Sequence, residues 1–215
     1  MKSNTFFELS SCENIYRISK KDIGQCADLM SRAFHDDPSI RYLLGGSDMG
    51  SNDWRYFNTI LKAVYGKCAM LSTDGSLNDL LILFPPKLKS VPAVEFFANG
   101  GASLSGLYNR GLLKRTINYE GNCKAVKERF ASRDAWYCMC FVVSPEKQGQ
   151  GLGSSLIRPV LRELDGKNAP LYLETHKLVN TEIYKHLGFD LVDVSAIPGT
   201  GISQYAMLRK PGCAA

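Results

Sequence analysis

The sequence has few residues that could build a metal site or a disulfide framework. It contains three histidines and seven cysteines in 215 residues, and no two cysteines have C-x-x-C spacing. Zinc sites in proteins use closely spaced cysteine and histidine pairs, so we expect no metal. An odd number of cysteines without a framework favours reduced thiols and a cytoplasmic location.

Long apolar runs are also missing. The first residues, 1–7, have no apolar core of the length found in secretion signals, and no segment approaches the roughly 18 apolar residues of a membrane span. The net charge is +5, but the basic residues are scattered and not interleaved with aromatic ones. We therefore expect neither a membrane nor a nucleic acid as partner, and the oligomeric state is left open.

Hydrophobic residues make up 45% of the chain, which is enough for a sizeable core, and the length predicts a single domain over 1–215. The pattern alternates strands and helices. The runs 136–143 and 171–175, joined by a helix, predict a parallel pair, and the runs 189–194 and 202–207 predict an antiparallel hairpin. The expected fold is a mixed α/β sheet of about seven twisted strands flanked by helices.

The segment 86–134 is the least regular part of the sequence. Short helices are predicted over 94–97, 104–113 and 126–130, separated by glycines. We expect this variable segment, together with the first helices, to form the wall of the site that binds an acceptor.

The stretch from Val143 to Gly153 has the strongest functional signal. It follows an apolar strand and precedes a helix, and it contains glycines at 149, 151 and 153. Glycines let the backbone approach a phosphate, and the first N–H groups of a helix lack partners within the helix. No Gly-Lys-Ser/Thr ends the loop, and the glycine spacing is not G-x-G-x-x-G. These two differences exclude the common nucleotide and dinucleotide loops. The loop still has the features of a pyrophosphate site.

The pattern V-x-P-x-x-Q-x-x-G-x-G over 143–153 resembles the coenzyme A loop of the GNAT acetyltransferase superfamily. The run 184–189 is similar to a second motif of that superfamily, Y-x-x-x-G-F. The segments 33–38, 156–161 and 207–212 resemble one branch of the GNAT superfamily, the puromycin N-acetyltransferases. The resemblance implies a GNAT-type fold and acetyl-CoA as co-substrate.

The resemblance also implies roles for individual residues. Tyr184 would protonate the departing thiolate, Glu174 would be the general base, and a main-chain N–H near Val143 would face the acetyl oxygen. Lys177 stands where many GNAT proteins have an asparagine, and Asn180 takes the nearer place. The residues implied in acetyl-CoA binding are Phe141, Val142, Val143, Gln148, Gly149, Gln150, Gly151, Leu152, Gly153, Ser154, Asn180 and Tyr184.

Each role has a structural alternative. Tyr184 could be a core tyrosine, Glu174 a solvated carboxylate at a strand end, and Asp36 and Asp37 cap and turn residues that only secondarily attract a cationic amine. His176 could share the proton relay. The expected function is transfer of an acetyl group to the primary amine of a small molecule, such as an aminonucleoside or an antibiotic-like compound. The alternatives are an acyl-CoA-binding or regulatory domain without activity, and an acetyltransferase for protein N-termini or lysines.

Overall fold

Seven strands form one mixed sheet in the computed structural model, which describes residues 15–46, 53–107 and 111–212. The strand order is β1-β2-β3-β4-β5-β7-β6, and every neighbouring pair is antiparallel except β4 and β5. The predicted fold class is thus confirmed, with its parallel pair and its C-terminal hairpin. The strands are β1 Tyr16–Arg17, β2 Ala69–Ser72, β3 Asp79–Phe84, β4 Trp136–Val143, β5 Leu171–Thr175, β6 Asp190–Ala196 and β7 Ser203–Arg209.

Helices cover both faces of the sheet. The helices are α1 Ile23–Ala33, α2 Pro38–Leu44, α3 Asp53–Val64, α4 Ala93–Phe96, α5 Ala102–Leu107, α6 Leu112–Phe130, α7 Leu152–Gly166 and α8 Leu178–Lys185. α1 and α3 share an apolar core with one face of β2–β4, and α6 packs on that face near Tyr172 and Ala206. α7 packs on the opposite face, mainly against β3 and β4, in an apolar cluster that also includes residues of β2, β5 and β7. In the described ranges, no helix combines the length and apolar character that crossing a membrane requires.

The parallel pair β4–β5 separates soon after it begins. α7 connects the two strands and continues through Pro159 without ending there. The strands pair only through Trp136 with Leu171 and Tyr137 with Tyr172, although β4 continues to Val143. On its other edge, β4 stays paired with β3 along its length, with a bulge that places Cys138 and Cys140 against consecutive β3 residues. A gap therefore opens between the C-terminal ends of β4 and β5.

The segment 86–134 is more helical than its sequence indicates. The 19-residue helix α6 replaces the short helix predicted over 126–130, and a π-helical turn at Phe97–Gly101 links α4 to α5. α6 buries only Leu112, Cys123 and Val126, so its apolar repeat is too sparse to be seen in the sequence. The helix depends on its contacts with the sheet rather than on a periodic apolar face.

Five cysteines lie in the described ranges, and all are free and buried. Burial raises the pKa of Cys26, Cys68 and Cys138 to about 12, and it raises the pKa of Cys123 and Cys140 as well. None of these five thiols takes part in a disulfide, and the reduced state of the cysteines stays a prediction.

A buried ion pair ties the end of α7 to the last strand. The guanidinium of Arg209, whose side chain is 1% exposed, donates to both carboxylate oxygens of Asp165 at 2.6 and 2.8 Å. It also donates to the carbonyl of Leu187, in the turn after α8, at 3.0 Å. One side chain thus joins α7, β7 and the turn after α8.

We predict that Asp165→Ala lowers the free energy of unfolding by about 3 kcal/mol, because it leaves a buried guanidinium without its carboxylate. Urea unfolding followed by circular dichroism measures the loss. The matched control is Glu128→Ala, which removes an exposed carboxylate 4.0 Å from Lys124 and should cost less than about 1 kcal/mol. Similar losses in both variants would show that the Arg209 pair is not an anchor.

Candidate functional site

A cavity of about 800 Å³ lies beside the glycine-rich loop. Its walls are the C-terminal end of β4, the loop that follows, the first turns of α7, and α8, with the end of α1 on one side. This volume is in the range of sites for small molecules and cofactors. The predicted cofactor residues that line it are Phe141, Val142, Val143, Gln148, Gly149, Gly151, Leu152, Gly153, Ser154, Asn180 and Tyr184.

Two glycines in the left-handed conformation shape the loop. The φ angles are +75° at Gly149 and +83° at Gly151, a region that is costly for residues with a Cβ atom. Gly151 immediately precedes α7, and a Cβ built on it would meet no protein atom within 4 Å. The backbone therefore borders open space at the point where the unpaired N–H groups of a helix begin. These are the features of an anion site.

Hydrogen bonds to the β4 backbone and to a side chain of α1 hold this loop in place. The Gln148 amide donates to the carbonyl of Val143 at 3.2 Å. Arg32 of α1 donates to Ser144 at 3.2 Å and to Glu146 at 2.9 Å. Gln150 does not line the cavity, and its amide donates to the carbonyl of Glu146 at 3.3 Å. Its part in binding acetyl-CoA stays a prediction.

Cationic side chains line the cavity near the loop. Lys147, Arg158 and Lys177 contribute to its walls, and Lys177 is paired with Asp36 at 2.6 Å. Lys147 and Arg158 were not among the predicted residues. The signal for Arg158 was its position four residues after Ser154 on α7, which places both on one side of the helix. Positive charge beside a helix N-terminus suits a ligand with several phosphates.

The free edge of β4 presents a backbone donor to the gap. Ser144 and Asn78 form a hydrogen-bonded antiparallel pair, with the N–H of Ser144 donating to the carbonyl of Asn78 at 2.7 Å. Such pairs alternate with unbonded pairs, so the adjacent pair of Val143 with Asp79 makes no such bond. The N–H of Val143 consequently points away from β3, to the edge from which β5 has separated.

Tyr184 and Asn180 enter the cavity from α8. The Tyr184 ring packs edge-on against Phe189, with 5.7 Å between ring centroids. Burial raises the pKa of the Tyr184 phenol, so the hydroxyl keeps its proton at neutral pH and can donate it. The Asn180 amide donates to the hydroxyl of Thr175 at 3.0 Å, which fixes its position at the end of β5.

Glu174 lies on the other face of β5, beneath α6, and does not line the cavity. Its position is two residues beyond the last pairing of β5 with β4, and the Tyr137 hydroxyl donates to it at 2.9 Å from across the gap. Burial raises the pKa of Glu174 to about 7, and the Tyr137 hydrogen bond and the charge of Lys127 limit the rise. A carboxylate with this pKa can accept a proton near neutrality.

The other candidate residues near the acceptor have structural partners. Asp37 caps α2, since its carboxylate accepts from the N–H groups of Ser39 and Ile40, although it also lines the cavity. Asp36 is paired with Lys177, which lowers its pKa. Both act as the cap and turn residues that the sequence indicated. The His176 ring packs at a tilt against the Tyr119 ring, with 5.4 Å between the ring centroids, and burial lowers the pKa of His176.

Over the described ranges, no group of three or more histidine, cysteine, aspartate or glutamate side chains is arranged to hold a metal ion. The lining of the cavity has the features that a coenzyme requires. Open space beside left-handed glycines, cations at a helix N-terminus and an apolar channel along Phe141 and Ile183 match a pyrophosphate with a long arm.

Comparison with known proteins gives a consistent result. Residues 116–189, from α6 to the turn after α8, match the acetyltransferase (GNAT) family. A segment of 55 residues is 40% identical to an uncharacterized N-acetyltransferase of Schizosaccharomyces pombe, and it covers 26% of this chain and 22% of that protein. The matched segment thus spans less than a quarter of that relative.

Solved structures share the fold over most of the chain. One is histone acetyltransferase HPA2 and related acetyltransferase from Corynebacterium glutamicum, with a TM-score of 0.61 and 16% identity, covering 94% of this chain and 98% of that one. Another is the polyamine N-acetyltransferase of Drosophila melanogaster, with a TM-score of 0.55 and 14% identity, covering 91% and 98%. The chain is thus similar to GNAT acetyltransferases in sequence over residues 116–189, and it shares a fold with solved acetyltransferases over most of its length. The resemblance to the puromycin branch stays a prediction.

We predict that acetyl-CoA binds in the micromolar range, about −8 kcal/mol, and that Gly151→Val weakens binding at least tenfold. Valine strains the left-handed backbone, and its side chain occupies the open space beside the loop. Titration calorimetry measures the affinity, and circular dichroism confirms that the variant is folded. Gly166→Val, at the far end of α7, is the control and should retain the affinity. A folded Gly151→Val protein with unchanged affinity would contradict the role of the loop.

Proposed function

We propose that the chain is an acetyl-CoA-dependent N-acetyltransferase acting on the primary amine of a small molecule. The observation that carries the proposal is the pair of groups on either side of the β4–β5 gap. Tyr184, a buried phenol, lines the cavity on one face of the sheet, and Glu174, with a pKa of about 7, lies on the other face. The backbone N–H of Val143 lies at the edge of β4 between them.

The cavity residues have separate tasks in binding acetyl-CoA. The loop backbone with Lys147 and Arg158 would hold the phosphates, and the end of β4 with α8 would hold the arm. When bound, acetyl-CoA supplies a thioester, which is an activated acyl group. The residues around it would then position its carbonyl next to the N–H of Val143, where developing negative charge is stabilised.

In the reaction an ammonium acceptor loses two protons from its nitrogen, and the departing sulfur gains one. An ammonium acceptor must lose a proton before it attacks, and Glu174 would take that proton, directly or through water. A C–N bond forms and the C–S bond breaks. Tyr184 would give its proton to the departing sulfur, whose thiol has an ordinary pKa of ~8.5. The nitrogen loses its second proton as the C–S bond breaks, and this proton, passed through water, would restore the Tyr184 phenol. The products are an acetamide, a free thiol and one proton, which Glu174 would release to water, so the atoms and charges balance.

Fold similarity does not identify the acceptor. The neighbour from Corynebacterium is named for histone acetylation and the one from Drosophila for polyamine acetylation, at similar overall similarity. We favour a small-molecule acceptor because the Glu174 carboxylate is buried beneath α6, so an acceptor must enter a buried space to contact it. Thiol release from acetyl-CoA, measured with a set of small amines and with peptides bearing free N-termini, distinguishes the two classes. Release with peptides alone would overturn the small-molecule acceptor.

We predict that Tyr184→Phe lowers kcat by ~10²-fold, the usual cost of losing a general acid, while acetyl-CoA affinity changes little because the ring remains. Steady-state thiol release and calorimetry measure the two quantities. Tyr65→Phe removes a hydroxyl from a tyrosine packed in the core on the α1 and α3 side, so it is the matched control and should keep full turnover. If Tyr184→Phe kept wild-type turnover, the tyrosine would serve packing only.

We predict that kcat/KM of the wild type rises with pH through about 7, as Glu174 loses its proton and becomes able to act as a base. Glu174→Gln should remove this limb and reduce kcat/KM by roughly 10²-fold near pH 8. The loss of kcat/KM in Glu174→Gln should become smaller at alkaline pH, where the acceptor is already a free amine. pH–rate profiles test this.

Tyr137→Phe serves as the companion variant. Its hydroxyl lowers the pKa of Glu174, so the rising limb should move to higher pH when the hydroxyl is removed. A Glu174→Gln deficit that is constant across pH would instead indicate that the carboxylate only binds the acceptor.

A further inference from the structure

The cavity beside the glycine-rich loop has walls on both faces of the sheet. Phe141 and Tyr184 pack in the apolar cluster on the face that α7 covers, and Val142 and Phe34 pack in the cluster on the face that α1 covers. All four residues line the cavity. Consecutive residues of a strand point to opposite faces, so the cavity crosses the sheet at the β4–β5 gap and reaches α1.

The corner between α1 and α2, residues 34–37, lies across the end of this gap. Just before the corner, the guanidinium of Arg32 donates to the carboxylate of Glu146, which follows β4, at 2.9 Å. Within the corner, the carboxylate of Asp36 pairs with the ammonium of Lys177, which follows β5, at 2.6 Å. The two ion pairs thus place the corner between the C-terminal ends of the separated strands.

Phe34 is the largest side chain that the corner presents to the cavity. Its ring stacks on the ring of Phe57 in α3, with 5.7 Å between the centroids and 26° between the planes. Phe57 is 1% exposed and closely packed, so the Phe34 ring has no free space behind it. Asp37, which also lines the cavity, is fixed as the cap of α2 by the N–H groups of Ser39 and Ile40. The corner therefore forms a firm wall.

The shape of a bound thioester directs its acyl chain toward this wall. Under the proposed function, the sulfur lies beside Tyr184 on the α7 face, and the carbonyl oxygen lies beside the N–H of Val143 at the edge of β4. A thioester is planar at its carbonyl carbon, so the acyl chain points away from both the sulfur and the oxygen. That direction leads through the gap to the α1 face, where Phe34 and Ala33 line the cavity.

We propose that Phe34 determines which acyl group the site accepts and restricts it to short chains. A methyl group fits in front of an aromatic ring, whereas a longer chain must displace a ring that is packed on its other side, and such overpacking is unfavourable. The inference rests on the proposed function, and it specifies the acyl donor as acetyl-CoA rather than coenzyme A thioesters with longer chains.

Titration calorimetry with acetyl-CoA, butyryl-CoA and free coenzyme A tests this inference without an acceptor amine. The wild type should bind acetyl-CoA at least about tenfold more tightly than butyryl-CoA, because added methylenes meet the ring. Phe34→Ala removes the ring, so it should lower this ratio of affinities at least about tenfold while free coenzyme A binds as before. Val179→Ala shortens an apolar side chain of α8 in the same cavity and is the matched control, with an unchanged ratio.

The outcomes separate this inference from the proposed function. Equal affinity of the wild type for acetyl-CoA and butyryl-CoA would overturn the inference alone, and so would a folded Phe34→Ala variant that keeps the wild-type ratio. If circular dichroism shows that Phe34→Ala does not fold, Phe34→Leu retains apolar packing against Phe57 and should still lower the ratio. Absence of binding by free coenzyme A and by both thioesters would overturn the proposed function itself.

Discussion

The separation of β4 from β5 is the constraint on which the site depends. Parallel strands usually remain paired over their shared length, but here pairing stops after Tyr137 and Tyr172. The unpaired edge of β4 leaves backbone donors available, and it lets groups on opposite faces of one sheet approach the same point. β4 stays in the sheet without pairing to β5 because its other edge is bonded to β3 and because α7 connects β4 to β5 on one face. Without the gap, Tyr184 and Glu174 would be separated by a continuous sheet.

The glycine-rich loop, which we propose binds the coenzyme, could be predicted from the sequence because its geometry is local. The left-handed φ angles at Gly149 and Gly151 and the start of α7 at Leu152 are properties of consecutive residues. The strand–loop–helix order therefore appears directly in the sequence pattern. Gln150 was assigned to the cavity because it stands in the motif, but its amide turns back to the loop backbone.

The surroundings of Glu174, the proposed acceptor side, could not be predicted in the same way, because they are assembled from distant segments. α6 has too few buried residues to produce a recognisable apolar repeat, and its position over the sheet depends on contacts such as Asn122 with Gln204. The raised pKa of Glu174 follows from that covering and not from the residues next to it in the chain.

The burial of the cysteines has a consequence for redox chemistry. Thiol–disulfide exchange proceeds through the thiolate, and a pKa of about 12 at Cys26, Cys68 and Cys138 leaves almost none of it at neutral pH. An acetyltransferase liberates coenzyme A, itself a reactive thiol, in each cycle. Under the proposed function, the five described cysteines would therefore be poor partners for mixed disulfides with the released coenzyme A.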